Sequence, residues 1–118
     1  MSRAVAVFNV SSGSHRVAVR VLNTERDVHQ AWVAHPGCGH LKKNQMVVGF
    51  CVPARRKNGR PMIVIPRDGN LFDTVPHEVT HAVLNGKSGT YEEEALATAI
   101  GQLSAAILGE IFYRGLEA

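Results

Sequence analysis

Cysteine is scarce in this chain, with Cys38 and Cys51 the only two, and aromatics are few, with one tryptophan and two tyrosines in 118 residues. Two cysteines cannot staple a disulfide scaffold, so the fold must rest on an apolar core, and both are expected as free thiols. No apolar stretch is read as approaching the ~20 residues that span a bilayer, which predicts a soluble protein without a membrane partner. The start, Met1-Ser2-Arg3-Ala4-Val5-Ala6-Val7-Phe8, also lacks a signal-peptide layout, because its short apolar run breaks at Asn9; a cytoplasmic location is expected. Repeats and low-complexity tracts are missing too. What is present, 45% hydrophobic and 19% charged residues, is ordinary for a globular protein, and the length predicts a single domain over residues 1–118.

The net charge of +3 and pI near 9.2 owe much to Arg55, Arg56, Lys57 and Arg60, which flank Asn58-Gly59. Asn-Gly favours a type I′ turn, so the cluster reads as a solvated hairpin tip, with a nucleic-acid or acidic-partner contact at residues 55–60 as the alternative.

Along the chain, 4–10 and 16–22 flank Ser11-Ser12-Gly13-Ser14 and predict a β-hairpin whose second arm buries Val17, Val19 and Val21. Thr24 followed by Asp27 caps a short helix with Val28, Ala31 and Trp32 as its apolar stripe, ended by His35-Pro36-Gly37. Runs at 46–52 and 62–65 predict a second hairpin around Asn58-Gly59, and the strand at 62–66 is expected to form a sheet edge where an extended substrate pairs. A last helix over 91–113 carries Leu96, Ile100, Leu103, Ile107 and Ile111 on one stripe. The expected class is α+β, with antiparallel hairpins packed on two principal helices.

His77-Glu78-Val79-Thr80-His81 is the most informative run. Positions i and i+4 share a helix face, so both imidazoles can point at one Zn²⁺. Glu78 beside them can take a proton from a zinc-bound water and hand it to a leaving amine, which is metallopeptidase chemistry acting on a peptide or protein substrate. The context is helical: Val79, Ala82, Val83 and Leu84 suit a buried helix, Thr74 or Asp73 can cap it, Pro76 is tolerable in a first turn, and Asn85-Gly86 is a stop signal. The bland alternative is two unrelated histidines on a half-buried helix.

A hydrolytic zinc site takes three protein ligands, and no histidine lies beyond His81. A carboxylate is therefore expected, and Glu92, Glu93 and Glu94 open the next helix. Thr90 followed by Glu93 forms a capping box, which gives Glu93 a structural task. Glu94 shares a face with Ala97, Thr98, Gly101 and Ala105, small residues that would let this helix approach the HExxH helix. Glu94 is the first choice as third ligand. Glu93 competes because it lies nearest the middle of the Leu96, Ile100 and Leu103 stripe, while Glu92 reads as a solvated charge.

His77-Glu78-Val79-Thr80-His81-Ala82 followed by Glu94-Ala95-Leu96-Ala97-Thr98 resembles the HExxH plus ExxA(D/N) pattern of gluzincin-type zinc metallopeptidases, most of all the single-domain minigluzincins and small phage-type proteins in the style of the ImmA/IrrE peptidases. The resemblance covers roughly residues 62–108. It implies a small zincin-like fold in which His77, His81 and Glu94 ligate zinc and Glu78 is the general acid/base. Thr98 departs from the usual Asp or Asn, removing the carboxylate that would orient a metal-bound histidine. No Tyr, His or Arg stands out as an oxyanion stabiliser, with Tyr91, Tyr113 and Arg114 as candidates.

His35, Cys38, His40 and Cys51 match no standard ligand spacing and read as loop residues, with a second metal site as the sharper alternative. His15 and His29 read as surface histidines. The competing function is a catalytically inert metal-binding regulatory or interaction protein that contacts nucleic acid through the basic hairpin.

Overall fold

The computed structural model describes residues 4–35, 46–54, 59–84 and 93–116. Valine alternation builds the first hairpin: Val17, Val19 and Val21 turn one face of β2 (His15–Leu22) toward the core. β1 (Ala6–Ser12) pairs with it antiparallel, from Ala6 opposite Val21 to Ser12 opposite His15. Only Gly13 and Ser14 remain to turn the chain, and Gly13 takes φ +59°, where a side chain would be strained.

Helix α1 (Glu25–Ala34) starts as its sequence predicts, with Thr24 Oγ1 accepting from the Asp27 backbone N–H at 3.1 Å. The second antiparallel pair is β3 (Phe50–Val52) with β4 (Met62–Pro66), Phe50 lying opposite Val64. β3 is shorter than the expected 46–52 strand. The Val47 N–H donates to His29 Nδ1 at 3.1 Å instead of to a neighbouring strand, so His29 anchors this approach rather than standing free at the surface. The turn residues 55–58 lie outside the described residues; Arg60 is exposed.

Both expected antiparallel pairs are present, but a parallel pairing of β2 with β4, Ala18 opposite Met62 through Leu22 opposite Pro66, joins them into one mixed sheet of order β1-β2-β4-β3. The strand at 62–66 is thus interior, not an edge. Ile63, Val64 and Ile65 form an unbroken apolar run with no polar face to offer water, which is the pattern of a strand covered on both sides. The edge beside it is β3.

One face of the sheet packs Val17, Val19, Val21, Ile63 and Ile65 against α2 (Leu71–Leu84) and α3 (Glu93–Tyr113); the other packs Leu22, Phe50 and Val64 against Val28 of α1. Among the described residues, three helices and a four-stranded mixed sheet make an α+β fold. Its radius of gyration, 13.9 Å, is close to the ~13.5 Å of a folded domain this long.

Helix α2 begins earlier than its sequence suggests. The N–H groups of Asp73 and Thr74 both donate to Asn70 O, at 3.2 and 2.9 Å, so neither residue is the cap and Pro76 falls inside the helix. There its ring removes the bond that Phe72 C=O would have accepted.

In α3, Leu103, Ile107 and Ile111 are fully buried, and the helix closes on Gly115 at φ +64°, with Leu116 N–H donating to Ile111 O and Gly115 N–H to Phe112 O. Residues Glu94–Tyr113, 20 in number with mean hydropathy 1.5, are long and apolar enough to cross a bilayer by length and composition, which the sequence reading did not anticipate. Here one stripe of the helix, Leu103, Ile107 and Ile111, packs in the core, and 28% of the apolar window is buried. Ala97, Thr98, Gly101 and Ala105, expected to face α2, are exposed instead, because turning the branched stripe inward buries more apolar area. Ile107→Ala is expected to cost about 2–5 kcal/mol in urea unfolding; a loss below ~1 kcal/mol would show that the stripe is not packed.

Candidate metal centre

His77, Glu78 and His81 follow one another along α2, and each offers a ligand atom such that all lie within 4.8 Å of one another. The imidazoles meet edge to face, centroids 5.0 Å apart at 74°. His77 Nε2 lies 3.9 Å from Glu78 Oε2. Nitrogen ligands of zinc, each about 2.0–2.1 Å from the ion, sit within ~4.2 Å of each other, so the pair fits a metal with small side-chain rotations. Both histidines are exposed, whereas Glu78 is only 4% exposed.

Burial raises the Glu78 carboxyl above its ordinary value, and the neighbouring His77 pulls the other way. Cys51, a free thiol on β3, is pushed up to about 12, first by burial and then by the Glu78 charge. It is therefore a neutral thiol at physiological pH.

These groups open into a cleft of about 340 Å³ whose remaining walls are Trp32, Val47, Gly49, Phe50, Cys51 and Pro53. Trp32 from α1 leans on Phe50, centroids 5.4 Å apart. Gly49 allows the chain before β3 to lie directly on α2: a Cβ there would stand 2.7 Å from Thr74 Cγ2 and 3.2 Å from Glu78 Oε2. A larger cavity of about 510 Å³, between α1 and the sheet, contains none of the three metal-site residues.

Trp32, Gly49 and Cys51 were not singled out from sequence as parts of this site. Gly49 carried a signal, since an isolated glycine in an apolar run marks close backbone approach. Trp32 did not, because its helical spacing accounts for it as core.

Glu94 lies in the first turn of α3, exposed, and does not belong to the group drawn within 4.8 Å. Its expected packing rationale is not realised, since the small-residue face it shares is turned outward. Thr90, Tyr91, Glu92 and the side chain of Glu93 lie outside the described residues. Arg114 is engaged by Glu110 at 2.8 Å and by the Phe8 ring, 4.9 Å from its centroid, and Tyr113 is exposed. Cys38 and His40 lie outside the described residues; of their companions, His35 packs on Phe50 toward the α1 side, while Cys51 packs toward α2 and α3. No protein family, curated protein or solved structure matches the chain.

Proposed function

We propose that the protein is a zinc-dependent metallopeptidase in which His77 and His81 hold the metal and Glu78 is the general acid/base. The observation that carries this reading is a buried carboxylate grouped with two imidazoles, all ligand atoms within 4.8 Å, at a cleft beside β3, the outer strand of the sheet among the described residues. A zinc ion there would supply a Lewis acid that polarises a carbonyl and makes water acidic near pH 7. Glu78, its carboxyl raised by burial, is suited to take a proton from the attacking water at Oε2 and deliver it to the leaving amine nitrogen. Trp32, Phe50 and Pro53 line the cleft beside it. β3 offers backbone donors and acceptors to an extended peptide, replacing the strand expected in that role.

The third ligand is a carboxylate opening α3, Glu94 first and Glu93 in competition; the resemblance to gluzincins points the same way. The substrate is a peptide or protein, the location cytoplasmic, and no membrane is involved. Elemental analysis tests the site: about one zinc per chain is expected in the wild type, lost in either Glu93→Gln or Glu94→Gln but not both. Absence of zinc after supplying it to folded wild-type protein would remove the proposal.

One observation favours a second reading. Glu78 is itself one of the three grouped donors, so it can serve as a ligand and leave an inert metal-binding protein without a base. Zinc loss in Glu78→Gln, together with salt-dependent DNA binding through residues 55–60 and no hydrolysis, would support it.

A further inference from the structure

Most of the apolar surface of α3 is left outside the core. From Ala95 to Gly109 the helix carries no charged residue. Turning about 100° per residue, it buries Leu103, Ile107 and Ile111 on one side, and the exposed arc opposite is centred on Ala105. Thr98 and Gly101 lie along that arc toward the N-terminus, Gly109 and Phe112 toward the C-terminus, and all four are exposed. Glycine inside a helix lowers its stability relative to alanine. A Cβ at Gly101 or at Gly109 would meet nothing within 4 Å, so the packing of the described residues gives no reason for either glycine. Close approach of a second backbone does.

Exposed aromatics gather at the C-terminal end of this face. Phe112 rests on Phe72, ring centroids 5.9 Å apart, and the two are 45% and 69% exposed; Tyr113 beside them is 89% exposed. Scattered singly such residues need no explanation, but grouped on one surface they mark a contact.

We infer that this face of α3 joins two copies of the chain, the helices antiparallel about a twofold axis at Ala105. The inference stands on α3 and is independent of the peptidase reading. A twofold interface must be complementary to itself, and this face is: the axis sets Gly101 of one copy opposite Gly109 of the other, and Thr98 opposite Phe112. The bulky end of each helix thus lies over the small end of its mate, and no charge between Ala95 and Gly109 has to be desolvated. The area is sufficient. The exposed parts of Phe72, Phe112 and Tyr113 amount to roughly 400 Å² per copy, and a helix face about 24 Å long and ~10 Å wide adds about 240 Å². Two copies would bury about 1,300 Å², within the ~1,200–2,000 Å² of stable interfaces. A bilayer would also accept an apolar helix face, but lipid tails have no use for two glycines.

Sedimentation equilibrium of the full-length chain tests this, with twice the chain mass of 12.8 kDa expected at micromolar concentration. Ala105→Glu, at an exposed position, sets two carboxylates face to face at the axis and should give a monomer with the circular dichroism of the wild type. A variant combining Gly101→Ala with Gly109→Ala separates contact from fold. In the Ala105→Glu background it should raise the melting temperature, because alanine favours the helix. In the wild-type background it should weaken dimerisation by about tenfold or more, because the added methyl groups stand between the backbones. A wild-type chain that stays monomeric up to ~100 μM, weaker association than interfaces of this size give, overturns the inference. So does a dimer whose strength the alanine pair or Ala105→Glu leaves unchanged. Flotation of a monomeric wild type with phosphatidylcholine/phosphatidylglycerol vesicles would overturn it in favour of a bilayer contact.

Discussion

Glu78→Gln is expected to keep its zinc and to lose peptide hydrolysis by about 10²–10⁴-fold. The amide preserves the shape of a side chain that is 4% exposed, yet it cannot carry the proton from water to amine. Zinc loss in this variant would instead make Glu78 a ligand, and retained turnover would remove it from the chemistry. The same substitution has a second readout in metal-free protein. Because burial raises the folded-state value of Glu78 above the ordinary 4.5, the folded state holds that proton more tightly than the unfolded chain. The resulting stability is complete below about pH 4.5 and is lost as the pH rises through the elevated folded value. Glutamine has no such dependence. Metal-free Glu78→Gln should therefore outlast wild type in urea at pH 7 and match it near pH 4; a wild type that is the more stable at pH 7 would show that the charged form is compensated.

The second large effect is expected at Gly49. A methyl group there would lie 2.7 Å from Thr74 Cγ2, well inside the ~3.5–4.0 Å that carbon atoms prefer. Gly49→Ala should cost about 1–3 kcal/mol as an overpacked contact. It should also slow hydrolysis, because Glu78 Oε2 stands 3.2 Å from the same added carbon. Thr74→Ser deletes the clashing Cγ2, so the double variant should recover most of the stability, a coupling that separate sites would not show. A neutral Gly49→Ala would mean that the chain before β3 does not rest on α2.

Local patterns proved readable and long-range ones less so. The Val17, Val19 and Val21 alternation and the Thr24 cap each depend on neighbours a few residues away, and both elements form where the sequence places them. The shared face of His77 and His81 is equally local. The parallel pairing of β2 with β4 is not, since two antiparallel hairpins can lie side by side in several ways, and only the unbroken Ile63-Val64-Ile65 run hinted at an interior strand. The apolar stripe of α3 is legible, with Leu103, Ile107 and Ile111 buried as their spacing predicts, whereas the small-residue face expected against α2 is exposed because that stripe has more area to bury. The cleft wall was hidden for a similar reason: Trp32 reaches it from a helix far along the chain.

That parallel pairing also sets an order of events. The β1–β2 hairpin and the helices form from contacts near in sequence, within microseconds. Joining β4 to β2 requires closing a long loop, across which Arg67 Nε donates to Asn23 Oδ1 over 44 positions, and such closures come late. His77 and His81 share one helical turn and need no part of this closure to lie side by side, whereas Glu78 is enclosed only once the segment before β3 that carries Gly49 is laid across α2. On the proposed peptidase reading, the chain would thus hold its metal before its general base is in place, and chemistry would wait for the end of folding.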